Sequence, residues 1–219
     1  MKVSLIGVTP DAEEQIVHVA RVSSSRKDKK AKPEGLINYL IKHSHWSPFE
    51  HATMTVEIET SKAIGIQLIR HRSFTFQEFS QRYQDVAQLD DMFESVELRR
   101  QAEDNRQSSE EVFDPHICYT AGVAAGEVRA SMLVDEFLQR AESLYRNLIE
   151  VGIAREQARM ILPLATKTKI YMTGSVRSWV HFLSIRDDTH AQKEIQLVAK
   201  DIKEVFKKEF PMISRALDY

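Results

Sequence analysis

The chain has 219 residues, 42% of them hydrophobic, which can supply the core of one large or two small domains. Its 30 basic and 32 acidic residues give a formal net charge of -2, far short of a nucleic-acid binder's basic excess, and no run of about 18 apolar residues offers a membrane span. A lone cysteine, Cys118, excludes an internal disulfide and a multi-cysteine zinc site, and with an opening Met1–Gly7 that lacks a signal-peptide layout the expected location is the cytoplasm.

In chain order, Lys2 to Val8 reads as a strand, and Thr9-Pro10 as a cap and first helical position for a helix to about Val22. A second helix fits Gly35 to His43. After Trp46-Ser47-Pro48, the stretch His51 to Thr60 alternates, with Ala52, Met54, Val56 and Ile58 on one face, so it is expected as a half-buried strand. Ser61 can cap a helix that carries Ile64, Leu68 and Ile69 up to Arg70-His71-Arg72. Residues 84–115 hold ten acids against three arginines, leaving 27 basic and 22 acidic residues elsewhere. Their weak periodicity predicts an acidic surface excursion, partly helical or poorly ordered.

From Glu127 to Glu150, apolar residues recur at helical spacing and Gly152 follows as a stop. Ala154 to Leu162 fits a short helix ended by Pro163, Thr166 to Thr173 a strand, and Ser175 to Ile185 another helix. Thr189 and Gln192 have the spacing of a capping box for a last helix through about Phe206. No repeat or linker interrupts the chain, so residues 1–219 are expected to form one α/β domain.

The segment Arg70-His71-Arg72-Ser73-Phe74-Thr75-Phe76-Gln77-Glu78-Phe79-Ser80-Gln81-Arg82-Tyr83 packs three arginines and a histidine into fourteen positions. Guanidinium groups grip phosphate oxygens in charge-assisted pairs of about 1.5–3 kcal/mol, which justifies gathering them against their mutual repulsion. The bland alternative is a basic helix end that complements its dipole. If Phe79 to Tyr83 is extended, Ser80 and Arg82 share a face.

Arg-His-Arg, seven residues, then Ser80-Gln81-Arg82-Tyr83 resembles the signature of the flavin-dependent thymidylate synthases. Three further segments resemble that family in the same order: His43-Ser44-His45-Trp46-Ser47-Pro48-Phe49-Glu50-His51, then Arg155-Glu156-Gln157-Ala158-Arg159-Met160-Ile161-Leu162-Pro163, then Arg177-Ser178-Trp179-Val180-His181-Phe182-Leu183-Ser184-Ile185-Arg186. The resemblance implies a mixed α/β (α+β) fold with a largely antiparallel sheet, packed helices and no Rossmann unit, in keeping with the absent Gly-x-Gly-x-x-Gly. It implies a homotetramer whose active sites are shared between subunits.

By the same resemblance, FAD would be lined by Ser23, His45, Ser47, Arg70, His71, Arg72, Gln77, Glu78, Ser175, Arg177, His181 and His190. The substrate dUMP would be held by Gln67, Glu78, Ser80, Gln81, Arg82, Arg159 and Arg186, with NADPH and 5,10-methylenetetrahydrofolate as co-substrates. Gln77, Ser175 and His181 stand where some family members carry asparagine. On the expected helix Arg177 and His181 share a face, while Arg186, five residues past His181, is turned by about 140° toward a second ligand. For Arg159, just before Pro163, the plain alternative is again the helix dipole.

The implied reaction methylates dUMP reductively to dTMP, with Arg186 polarising the pyrimidine and no cysteine nucleophile. Cys118 fits that picture, since it lies outside every matched segment with no base or basic cluster to lower its pKa. Ser80 is the other catalytic candidate, but no histidine or lysine in the motif is spaced as its base, so anchoring of phosphate or base is expected of it. His45, Glu50 and His51 could gather a divalent ion, yet no fourth ligand is in view and no metal is expected. A competing RNA-binding module would need aromatics interleaved with an extended basic surface, whereas these arginines fall in compact clusters.

Overall fold

The computed structural model describes residues 1–23, 32–89, 91–121 and 124–219. The chain divides into two compact units, the first from Met1–Glu59, Gln67–Gln77 and Ile170–Tyr219, the second from Thr60–Ile66 and Glu78–Lys169.

The first unit opens with β1 (Lys2–Val8), α1 (Ala12–Ala20), α2 (Pro33–Lys42) and β2 (Thr53–Ser61). β1 pairs antiparallel with β2, with a register shift between Leu5 and Gly7. A dinucleotide-binding βαβ unit would pair its first two strands in parallel, so this connection already excludes one here. The alternation read in β2 holds: Ala52, Met54, Val56 and Ile58 are all buried. Pro10 does not open α1; the helix starts at Ala12 behind Asp11 in the left-handed region, φ 48°. Thr9 is occupied elsewhere, its hydroxyl accepting from the Thr53 backbone N–H at 2.9 Å.

α3 (Lys62–Leu68) carries the chain from the second unit back into the first, and β3 (Thr75–Glu78) follows the arginine motif. In the second unit come β4 (Arg99–Gln101), β5 (Ser109–Val112), β6 (His116–Ala121), β7 (Ala124–Arg129), α4 (Ala130–Glu150) and α5 (Arg155–Ala158). β8 (Lys167–Ser175) then leads to α6 (Val176–Arg186), α7 (Lys193–Glu209) and α8 (Pro211–Ala216) in the first unit. The four-stranded sheet has the order β1-β2-β8-β3, and β4-β5 and β6-β7 form antiparallel two-stranded sheets.

The described part of the acidic segment 84–115 holds a 3-10 turn, Val86–Gln88, and the strands β4 and β5, and it contributes to packing: Val86 and Met92 are buried with Tyr145 and Ala158 in the second unit's core. Glu127, read as helix, lies in β7, because the pairing of His116 with Arg129 through Ala121 with Ala124 delays α4 to Ala130. The short helix after Ala154 is one α-turn followed by a 3-10 turn, Arg159–Ile161. The capping box read at Thr189 is not formed; Gln192 itself is the N-cap of α7 and no side chain caps it.

Trp179 and Phe182 of α6, Phe206 of α7, Phe49 and Phe210 are the largest fully buried side chains described in the first unit. Each contributes roughly 1.5–3 kcal/mol or more by leaving water. Burial of Trp179 is satisfied by its indole N–H, which donates to the Met54 carbonyl at 3.0 Å. Glu13 is buried because its carboxylate accepts from the Ile213 N–H at 2.7 Å at the start of α8, while burial pushes its pKa up. No helix among the described residues is long and apolar enough to cross a membrane.

Candidate functional site

In the first unit, the Arg70-His71-Arg72 segment leaves α3 through tight turns. Arg70 and His71 donate their backbone N–H groups to the Gln67 and Leu68 carbonyls at 3.4 and 3.0 Å, and Phe74 donates to His71 at 3.2 Å. This turn places the His71 ring edge-on to Phe182, centroids 4.9 Å apart, and beside Phe74 at 6.3 Å. Phe74 in turn lies against Gly174 of β8, where a Cβ would sit 2.5 Å from its ring carbons. Glycine here is a matter of space.

Arg186, the last residue of α6, donates its Nε–H to His71 Nε2 at 2.9 Å. That bond requires a lone pair on Nε2, so the imidazole is neutral with its proton on Nδ1. Burial first, then the charges of Arg186 and His181, hold the His71 pKa down at about 4. Burial also lowers the Arg186 pKa from its ordinary value, and the guanidinium stays charged. His71 therefore feels both Arg186 and His181, although those two residues are turned apart on α6.

At the other end of α6, the Ser175 hydroxyl caps the helix by accepting from the Ser178 N–H at 3.3 Å. The same hydroxyl donates to Glu50 Oε2 at 2.6 Å, and Arg177 donates to Glu50 Oε1 at 2.9 Å. Glu50, which lies in the family-like His43–His51 segment with no ligand expected of it there, is thus part of this site. Arg70, Arg72, Gln77 and His181 are exposed, and among the described residues neither Arg70 nor Arg72 is paired with a carboxylate.

His45 is exposed near Tyr39 and His43, with ring centroids 5.8 and 6.1 Å away. Ser47 opens a 3-10 turn. His190 pairs with Asp188 at 2.7 Å and, with its backbone N–H, lowers that carboxyl's pKa. Ser23 ends a 3-10 turn, and its side chain lies outside the described residues. Gln67 donates to Gln192 Oε1 at 2.5 Å.

The second unit holds Glu78, Ser80, Gln81, Arg82 and Arg159; Gln67 and Arg186 belong to the first. Glu78 is held by Lys62 at 2.8 Å and by the Thr168 hydroxyl at 2.9 Å. Neither Lys62 nor Thr168 carried a signal in the sequence, since each lies in a different element from Glu78. Ser80 begins a turn rather than an extended stretch, its carbonyl accepting from Tyr83 and Gln84 at 3.1 and 3.0 Å, so the shared strand face with Arg82 is lost. No base contacts the Ser80 hydroxyl among the described residues.

Gln81 is buried and its amide nitrogen has no partner among the described residues. Arg82 and Tyr83 line a concavity of about 510 Å³ with Ile149, Ile153, Arg155 and Glu156. Arg155 donates to the Tyr83 carbonyl at 3.0 Å, and Glu156 lies 3.8 Å from Arg82. Arg159 is exposed on its 3-10 turn. No group of three or more His, Cys, Asp or Glu side chains among the described residues could hold a metal ion, and Cys118 is a free, exposed thiol in β6.

The first unit thus carries Arg70, Arg72, Arg177 and Arg186 with a neutral His71 on a mixed α/β fold, donors of the kind that phosphorylated ligands take. Residues 4–212 match the family described as thymidylate synthase complementing protein. The chain is 40% identical to the probable flavin-dependent thymidylate synthase of Paramecium bursaria Chlorella virus 1, covering 100% of both chains. It is also 40% identical to the flavin-dependent thymidylate synthase of Synechocystis, over 93% of this chain and 88% of that one. Identity to the enzyme of that name from Thermus thermophilus is 34%, over 93% and 70%. The chain belongs to the flavin-dependent thymidylate synthase family.

Proposed function

We propose that this protein converts dUMP to dTMP with FAD, taking the one-carbon unit from 5,10-methylenetetrahydrofolate and reducing equivalents from NADPH. The observation that carries the reading is the state of the cations in the first unit. Arg70 and Arg72 flank His71 in sequence and, among the described residues, neither pairs with a carboxylate, while Arg177 pairs with Glu50. Exposed guanidiniums with no carboxylate beside them keep their donors open to an anion, and a diphosphate-bearing cofactor supplies one.

The donor set fits FAD: Arg70, Arg72 and Arg177 for its phosphates, with Ser175, His181, His45, Ser47, Gln77 and His190 as polar neighbours. When bound, FAD supplies redox chemistry at carbon that no side chain here can provide. Glu50 keeps Arg177 aimed before the cofactor arrives, and the neutral His71 adds a donor at Nδ1 without adding charge.

For dUMP, the buried Gln81 amide, unpartnered among the described residues, and the exposed Arg82 and Arg159 supply donors suited to phosphate and base. Arg186 retains a full positive charge and acts on the pyrimidine, where developing negative charge in the transition state is stabilised. Ser80 anchors rather than attacks. Residues 1–219 work as one domain in a homotetramer, with each active site assembled from more than one subunit.

The test is a visible spectrum recorded after adding FAD and removing the excess, then adding NADPH with and without dUMP. Retained flavin bands that bleach with NADPH, faster when dUMP is present, are expected. A protein that retains no flavin under any condition refutes the reading and leaves a phosphate-binding module.

A further inference from the structure

We propose that His71 is a positioning residue that fixes the direction of the Arg186 guanidinium through its unprotonated Nε2. The inference rests on the reading of Arg186 as the group that meets the pyrimidine. Its basis is the contact itself: Arg186 Nε to His71 Nε2, 2.9 Å. An arginine at a helix end ordinarily takes a nearby carboxylate, and two follow it directly in sequence. Both are engaged elsewhere, Asp187 by Lys203 at 3.0 Å and Asp188 by His190 at 2.7 Å. Among the described residues no carboxylate pairs with Arg186.

The acceptor is itself held in place. His71 is fixed by its turn, with its N–H on the Leu68 carbonyl and its own carbonyl accepting from Phe74, and by the edge-on Phe182 ring. Burial, then the charges of Arg186 and His181 of α6, disfavour protonation of the ring. A half-buried site beside a guanidinium favours the neutral ring, and only the neutral ring can accept. A long side chain with many rotamers is thereby confined to one direction at its first guanidine nitrogen.

Two variants separate this role from a plain flavin contact. The amide oxygen of His71→Gln reaches close to the position of Nε2, whereas His71→Met has similar length and no strong acceptor. The readouts on the FAD-loaded protein are dUMP affinity, kcat against KM, retained flavin, and the Arg186 Nε–H resonance, assigned by its loss in Arg186→Lys. Losing a hydrogen bond to a charged group in His71→Met should remove the slowly exchanging Nε–H signal, weaken dUMP about tenfold and lower kcat. His71→Gln should restore the signal and bring affinity to within about threefold of wild type. Equal failure of the two variants, loss of FAD from both, or unchanged dUMP affinity in His71→Met overturns the proposal. Unchanged dUMP affinity in Arg186→Ala would instead sink the substrate reading, while the Nε–H signal would still report whether His71 holds Arg186.

Discussion

Replacing Gly174 by alanine tests the packing that supports the His71 turn. The added Cβ would lie 2.5 Å from two carbons of the Phe74 ring and 3.3 Å from a third. Ordinary carbon contacts lie at about 3.5–4.0 Å, so the ring must retreat by roughly 1 Å. Its neighbours leave little room: Trp179 at 4.6 Å and Phe182 at 6.0 Å are fully buried, and His71 stands at 6.3 Å. Overpacking of this kind costs ~1–3 kcal/mol, while trading glycine for alanine in a strand returns ~0.5–1 kcal/mol of backbone entropy. The expected net is a loss of about 1–2 kcal/mol, a fall of some 2–8 °C in Tm for a chain of this size. Urea unfolding of the wild type and variant measures it, with Gly35→Ala, which meets nothing within 4 Å in α2, as the control expected to stabilise. A Gly174→Ala protein as stable as wild type, or more so, would show that the ring moves freely and refute the reasoning.

Two further outcomes follow from the titrating and paired groups. The His71 pKa falls from 6.5 to about 4 on folding, so its contribution is present above pH 6.5 and is lost as pH drops through 6.5 toward 4. The full shift corresponds to ~3.4 kcal/mol, and solvent screening of a half-buried ring reduces this to about 1–2 kcal/mol. His71→Gln should therefore lose less stability than wild type between pH 7 and pH 4 in urea titrations; parallel pH profiles would contradict it. Lys62→Met leaves Glu78 partly buried with only Thr168 as donor, and should cost ~1–2 kcal/mol, restored by Glu78→Gln in the same chain. An additive double variant would show that the pair is not coupled.

Periodicity made the fold legible where burial is one-sided. β2 and α7 were readable because their apolar residues repeat on one face, and the helical pattern of Ser175 to Ile185 matches α6 closely. The β6-β7 hairpin escaped because its residues carry little alternation in polarity and those at its described open end are largely exposed, so Glu127 to Arg129 merged with the helix that follows. Capping failed as a guide twice: Thr9 bonds Thr53 in the neighbouring strand, and Thr189 is bypassed when Gln192 starts α7. In the site, the arginine motif pointed to phosphate chemistry, but the partners of its members come from distant segments. Glu50 lies 127 positions from Arg177, and His71 lies 115 from Arg186; no local pattern encodes such pairs.

The choice of partner for each cation has a physical logic that spacing alone could not reveal. A carboxylate fixes a guanidinium but cancels most of its field, as Glu50 does for Arg177. That suits a residue whose ligand brings more than one negative charge and can share it with the existing pair. An imidazole nitrogen fixes direction while leaving the charge intact, as His71 does for Arg186. For a group that must stabilise charge appearing only in the transition state, a carboxylate nearby would weaken the effect throughout the reaction. The neutral partner on Arg186, with Asp187 and Asp188 drawn off to Lys203 and His190, is therefore what a preorganised electrostatic donor requires.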